Sequence, residues 1–219
     1  MVAMRMRTAT ALAAAMATGA GAFPASADYS ITVLHNNDGE SRLLGYSDAQ
    51  PEFGGVARFA TMLDQTRTFY EGQNHGVVSI FAGDTFLAGA QFQASLDSGP
   101  AGSRTFYDAL AISRMGYDVS VIGNHEFDFG PDVLAEFISD AQTHNPTTYL
   151  SANLGFGSEA SLQAHVAAGR IAPTKTLNVT VAGGTKTIGI IGVTTEDLPF
   201  VSSPGGVTVN PVAAAVNTQ

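Results

Sequence analysis

The stretch Val119–Gln142, VSVIGNHEFDFGPDVLAEFISDAQ, holds a strand, a polar turn and a helix in immediate succession. Val119–Ile122 is a β-branched apolar run, too short for a helix and closed by Gly123. Further on, Leu134, Phe137, Ile138 and Ala141 fall on one face of a helical period. Pro131 suits the first position of that helix, and Asp132 its first turn. Between strand and helix lies Gly123-Asn124-His125-Glu126-Phe127-Asp128-Phe129-Gly130. Such a strand–turn–helix succession is the repeating half of a βαβ unit.

Outward from this stretch the pattern recurs. Ile31–Leu34, Val77–Phe81 and Ile188–Val193 are similar apolar runs, and continuous runs are what strands buried between helices require. Val56, Phe59, Ala60 and Leu63 mark another amphipathic helix, and a third over about Thr105–Met115 should end at Gly116. The expected class is α/β with a largely parallel sheet, at least in the first half. Gly155–Gly169 reads as a loop with some helix. Thr174–Ala182 and Lys186–Val193, joined by Gly183-Gly184, read as a β-hairpin. Asn178-Val179-Thr180 matches a glycosylation acceptor, but its place inside that strand makes the match incidental.

Composition bounds the function. The 219 residues suffice for one domain, or one and a piece, and 45% hydrophobic content with 13% charged excludes wholesale disorder. No apolar run approaches the roughly 20 residues of a membrane-spanning helix. A net charge of −9 argues against a nucleic-acid binder, and the absence of cysteine excludes disulfides and thiolate chemistry. Arg5 and Arg7, the Ala-rich run Thr8–Phe23 and the small-x-small pattern Ala25-Ser26-Ala27 have the form of a secretory signal peptide over residues 1–27. The expected mature chain is periplasmic or secreted and more acidic still, because the leader holds two arginines and no acid.

The residues just past each strand carry the chemistry. The first strand leads into Asn36-Asn37-Asp38-Gly39-Glu40, the second into Ala82-Gly83-Asp84-Thr85 and the third into Gly123-Asn124-His125. Asp38, Asp84 and Asn124 are 46 and 40 positions apart, about one βαβ unit each. In an open α/β sheet, ligands collect beyond the carboxyl ends of the strands. Singly, each residue also reads as a helix cap or turn former, and His125 as a surface histidine. Together they form a hard-to-borderline donor set suited to Mn²⁺, Mg²⁺, Fe or Zn²⁺. Asp38 and Glu40, two apart in an extended segment, can point to one side.

The blocks ITVLHNNDGESRL (31–43), AGDTF (82–86) and GNHEFDFG (123–130), with Ser151-Ala152-Asn153-Leu154 and IGIIGVTT (188–195), resemble the 5′-nucleotidase branch of the calcineurin-like metallophosphoesterases. The resemblance implies an αββα layered sandwich, of which this chain holds the first half with its parallel βαβ units. It implies an exported enzyme that hydrolyses phosphate monoesters of nucleotides with water activated by two divalent metal ions. By the family's pattern Asp38 binds one ion, Asp84 bridges both and Asn124 binds the other, while His125 and Asp128 form a dyad beside the phosphate. A two-ion clamp also explains how so acidic a chain takes an anionic substrate.

Two departures stand out. Glu40 occupies a position where the family usually has His; it either ligates in its place, favouring harder ions, or is a solvated loop carboxylate. The family's later histidines, including a His-x-His block, have no counterpart among His35, His75, His125, His144 and His165. Of these, His35 is expected in the core, His75 and His144 at the surface, and His165 unpaired in a loop. Residues 28–219 are therefore expected to be an incomplete N-terminal metallophosphoesterase domain, without the family's C-terminal nucleotide-binding domain. Such a fragment is expected to turn over phosphate esters poorly and to expose an apolar sheet edge. The alternatives are a defective or non-catalytic exported binding protein, or a branch acting on 2′,3′-cyclic nucleotides or a sulfur-carrier substrate.

Overall fold

The computed structural model describes residues 2–6, 28–45 and 53–219. Most of the expected leader, residues 7–27, lies outside the described residues. Its start, β1 (Val2–Met6), pairs antiparallel with β2 (Ile31–Asn36). The chain continues through α1 (Val56–Glu71), β3 (Gly76–Phe81), α2 (Ala90–Leu96), α3 (Tyr107–Met115) and β4 (Val119–Val121). A 3₁₀ turn (His125–Phe127) leads to α4 (Pro131–His144), then β5 (Thr148–Leu150), β6 (Leu154–Gly155), α5 (Ala160–Ala167) and β7 (Ile171–Ala172). The hairpin β8 (Thr174–Val181) and β9 (Gly184–Ile191) comes next, then α6 (Leu198–Val201), β10 (Thr208–Val209) and α7 (Val212–Asn217).

The main sheet has the order β1-β2-β3-β4-β5-β7, and β2, β3, β4, β5 and β7 run parallel. The α/β class with parallel βαβ units is thus observed. Two cores form around the sheet. One is dominated by aromatic rings, with Phe86, Phe92, Phe106 and Phe137 fully buried and Phe86 stacked on Phe92 at 4.1 Å. The other gathers Leu34, Leu63, Phe81, Ile112, Met115 and Tyr117 beneath α1 and α3. Helix α3 stops at Gly116, whose φ of 63° is left-handed and cheap only for glycine.

Several expectations need correction. Ile188–Val193 is not one of the buried parallel strands. Its first four residues close β9, which pairs only with β8, antiparallel, and both Ile191 and Val193, two residues past the strand, are exposed. β5 and β7 complete the parallel sheet instead, and at three and two residues they are too short to show a period. His165 is not an unpaired loop residue: it is buried on α5, with Nε2 2.9 Å from the Ala135 carbonyl. His75 is half-buried, with Nδ1 2.9 Å from Thr32 Oγ1, and His35, expected in the core, is half-buried on β2. His144 is exposed as expected.

Candidate functional site

Because β2, β3 and β4 are parallel neighbours in close register, their ends meet at one edge. Asp38 lies two residues past β2, and Asp84 and Asn124 three residues past β3 and β4. The loops touch through their backbones. Gly83 has a φ of 99°, and a Cβ there would lie 3.0 Å from Gly123 Cα, so glycine is required on both steric and conformational grounds.

The first loop is laid onto the second by three hydrogen bonds. The backbone N–H groups of Asp38, Glu40 and Ser41 donate to the carbonyls of Gly83, Asp84 and Thr85 at 3.1, 3.1 and 3.2 Å. This ladder holds unusual conformations: Asp38, Glu40, Ser41 and Asp84 all have φ between 47° and 60°. Left-handed backbone at non-glycine residues costs on the order of 1 kcal/mol each and tends to collect at functional sites. The segment is consequently not extended, so the expectation that Asp38 and Glu40 share a side by strand alternation does not hold. The Glu40 carboxylate instead lies 3.6 Å from Arg42 Nη2.

The Asp38 carboxylate lies against that of Asp84. Burial raises the Asp84 pKa, and the Asp38 charge adds to the rise against the opposing pull of the His125 N–H and ring. Asn37 Nδ2 donates to Asp38 Oδ2, and the His125 backbone N–H donates to Asp84 Oδ1 at 3.0 Å, bringing the Asn124–His125 turn against Asp84. Among the described residues no three of His, Cys, Asp and Glu gather closely enough to hold an ion by themselves. The donors that meet are two carboxylates with the Asn124 turn beside them. That oxygen-rich set fits a hard divalent cation, whose charge would relieve the contact between Asp38 and Asp84.

His125 and Asp128 form the expected pair, with Nδ1 2.8 Å from Oδ2. Burial disfavours the imidazolium, but the Asp128 hydrogen bond and charge, with the charges of Asp84 and Glu126, hold the His125 pKa above its ordinary 6.5. The other Asp128 oxygen accepts from Ser202 Oγ at 3.0 Å. Ser202 is a residue the sequence reading missed, because it lies 74 positions from Asp128 with no local signal.

Glu126 was missed as well. Its carboxylate is 1% exposed and accepts three backbone N–H groups: Thr85 at 2.6 Å, Gly123 at 2.7 Å and Asp84 at 3.0 Å. Burial nevertheless outweighs these bonds and raises its pKa. The available signal was a carboxylate next to Phe127 in a turn whose other polar residues already had roles.

The sequence and fold have known counterparts. No family model matches the chain. It is 31% identical over 194 residues to the 5′-nucleotidase of Mus musculus, covering 84% of this chain and 29% of that protein. A 5′-nucleotidase precursor from Thermus thermophilus superposes with a TM-score of 0.64 at 28% identity, over 86% of this chain and 33% of that one. The calcineurin-like phosphoesterase YfkN from Bacillus subtilis shares the fold, with a TM-score of 0.59 at 20% identity over 85% of this chain and 55% of that one. The chain spans less than a third of the length of the curated relatives it matches. In sequence and in fold it corresponds to the N-terminal part of 5′-nucleotidases built on the calcineurin-like phosphoesterase fold.

Proposed function

We propose that this chain carries the metal centre and the histidine dyad of an exported phosphohydrolase acting on nucleotide phosphate monoesters. The observation behind the reading is the contact of Asp38 with Asp84, beside the His125–Asp128 pair, beyond three adjacent parallel strands. Asp38, Asp84 and Asn124 would hold two divalent ions, with Asp84 serving both and Glu40 joining Asp38. When bound, the ions would supply the charge that polarises the phosphoryl group and lowers the pKa of attacking water. Asp84 is held for bridging by the His125 N–H on Oδ1. Asp128 fixes the imidazole through Nδ1, which leaves Nε2 to donate to a phosphoryl oxygen as its charge grows. Ser202 steadies Asp128 from the other side.

The leader-like residues 1–27 support export. Among the described residues no helix is long and apolar enough to cross a membrane. On secretion the mature N-terminus should be Asp28, and an intact Met1 on periplasmic or secreted protein would contradict this.

The phosphate site is tested by titrating inorganic phosphate into the full chain with and without Mn²⁺, alongside phosphate release from a nucleoside 5′-monophosphate and a 2′,3′-cyclic nucleotide. Binding should require Mn²⁺ and weaken at least tenfold in His125→Asn, and any release should be confined to the monophosphate. Phosphate binding that ignores both metal and His125 would overturn the reading, and release from the cyclic nucleotide alone would reassign the substrate.

A further inference from the structure

We infer that Glu126 is a positioning residue that locks the Asp84 loop to the Asn124 loop and so sets the spacing of the metal donors; this rests on the metal-centre reading above. The backbone polar groups of residues 83–85 show why. Their three carbonyls accept N–H groups from the first loop, at Asp38, Glu40 and Ser41. The N–H groups of Asp84 and Thr85 point the other way and end on Glu126, at 3.0 and 2.6 Å. The same carboxylate takes the Gly123 N–H at 2.7 Å. One side chain therefore ties the second loop to the third, while the ladder of carbonyls ties it to the first. All three strand ends become a single hydrogen-bonded unit with Asp84 at its centre.

The space around the carboxylate is closed. A Cβ on Gly123 would run into Asp84 Oδ1 and lie 2.9 Å from Glu126 Oε2. Glu126 is almost wholly shielded from solvent, and buried N–H groups left without an acceptor are costly. Geometry also dictates that the acceptor be a carboxylate. Oε1 serves Thr85, and Oε2 serves both Asp84 and Gly123. Glutamine can present one oxygen only, so either orientation sets its NH₂ against at least one N–H donor. Aspartate keeps both oxygens but is one methylene shorter, and cannot reach both loops.

The test uses the full chain and its Glu126→Gln and Glu126→Asp variants, with amide hydrogen exchange and Mn²⁺ affinity as readouts. In Glu126→Gln, exchange at Asp84, Thr85 and Gly123 should rise at least tenfold while Val78 and Ile80 in β3 change less than twofold. Mn²⁺ affinity should fall at least tenfold. Should the glutamine variant fail to fold, Glu126→Asp carries the same expectations. A uniform rise in exchange across β3 and the loops would make Glu126 a general stability residue and overturn the inference. So would unchanged protection at the three amides or unchanged Mn²⁺ affinity. Wild-type chain that binds no Mn²⁺ would sink the metal-centre reading instead, and exchange alone would then decide whether the lock exists.

Discussion

Asp108, in the first turn of α3, is 2% exposed and accepts a long hydrogen bond, 3.3 Å, from Ser41 Oγ and one from its own backbone N–H. Burial pushes its pKa up to about 7. A carboxyl whose folded pKa exceeds its unfolded value binds its proton more tightly when folded, so the contribution of Asp108 to stability is full below pH ~4 and is lost between ~4 and ~7. Asp108→Asn removes the ionisable group and keeps the shape. Urea denaturation should show the variant more stable than wild type by about 2–4 kcal/mol at pH 8, and nearly equal to it at pH 4. A difference that does not grow with pH would refute this. At this scale the sequence made legible where Asp38, Asp84 and Asn124 lie, past neighbouring strand ends, and that His125 and Asp128 pair, because they stand in short blocks beside those ends. It was least legible where partners are remote. Ser41–Asp108 spans 67 positions and Asp128–Ser202 spans 74, and neither leaves a local trace.

The elements that were legible are those whose period is long enough to count. Helices α1 and α4 show their apolar faces over several turns, and Pro131 and Gly116 mark a start and a stop. Strands β5 and β7 are set by tertiary pairing alone, so no pattern announced them. The run Ile188–Val193 looked like a buried strand because β-branched residues suit any strand, paired on one side or two. The fully buried Asn153, just past β5, ties down the segment that follows that hairpin. Its Nδ2 donates to the carbonyls of Thr194 at 2.9 Å and Asn210 at 3.3 Å, and its Oδ1 accepts the Thr194 N–H at 2.8 Å. Asn153→Ala strands these groups in the interior, at an expected loss of about 2–4 kcal/mol in chemical denaturation. A loss under ~0.5 kcal/mol, the range of ordinary surface substitutions, would show that the segment is held elsewhere.

At the scale of the whole molecule, the parallel sheet acts as a ruler. Register among β2, β3 and β4 delivers three loops to one edge, and hydrogen bonds through residues 83–85 convert them into one unit. The αββα expectation is matched in class by the sheet and its helices, and the relatives that share the fold are longer, this chain covering 33% of one and 55% of another. Ile191 at the end of β9, Val193 just past it and Phe200 on α6 are exposed apolar residues. The central claim is that the strand-end carboxylates hold two ions with Asp84 between them. Electron paramagnetic resonance of the Mn²⁺-loaded full chain tests it most directly. The account predicts the multiline spectrum of an exchange-coupled Mn²⁺ pair, lost in Asp84→Asn; a spectrum of isolated ions only, or a coupled signal indifferent to that substitution, would contradict it.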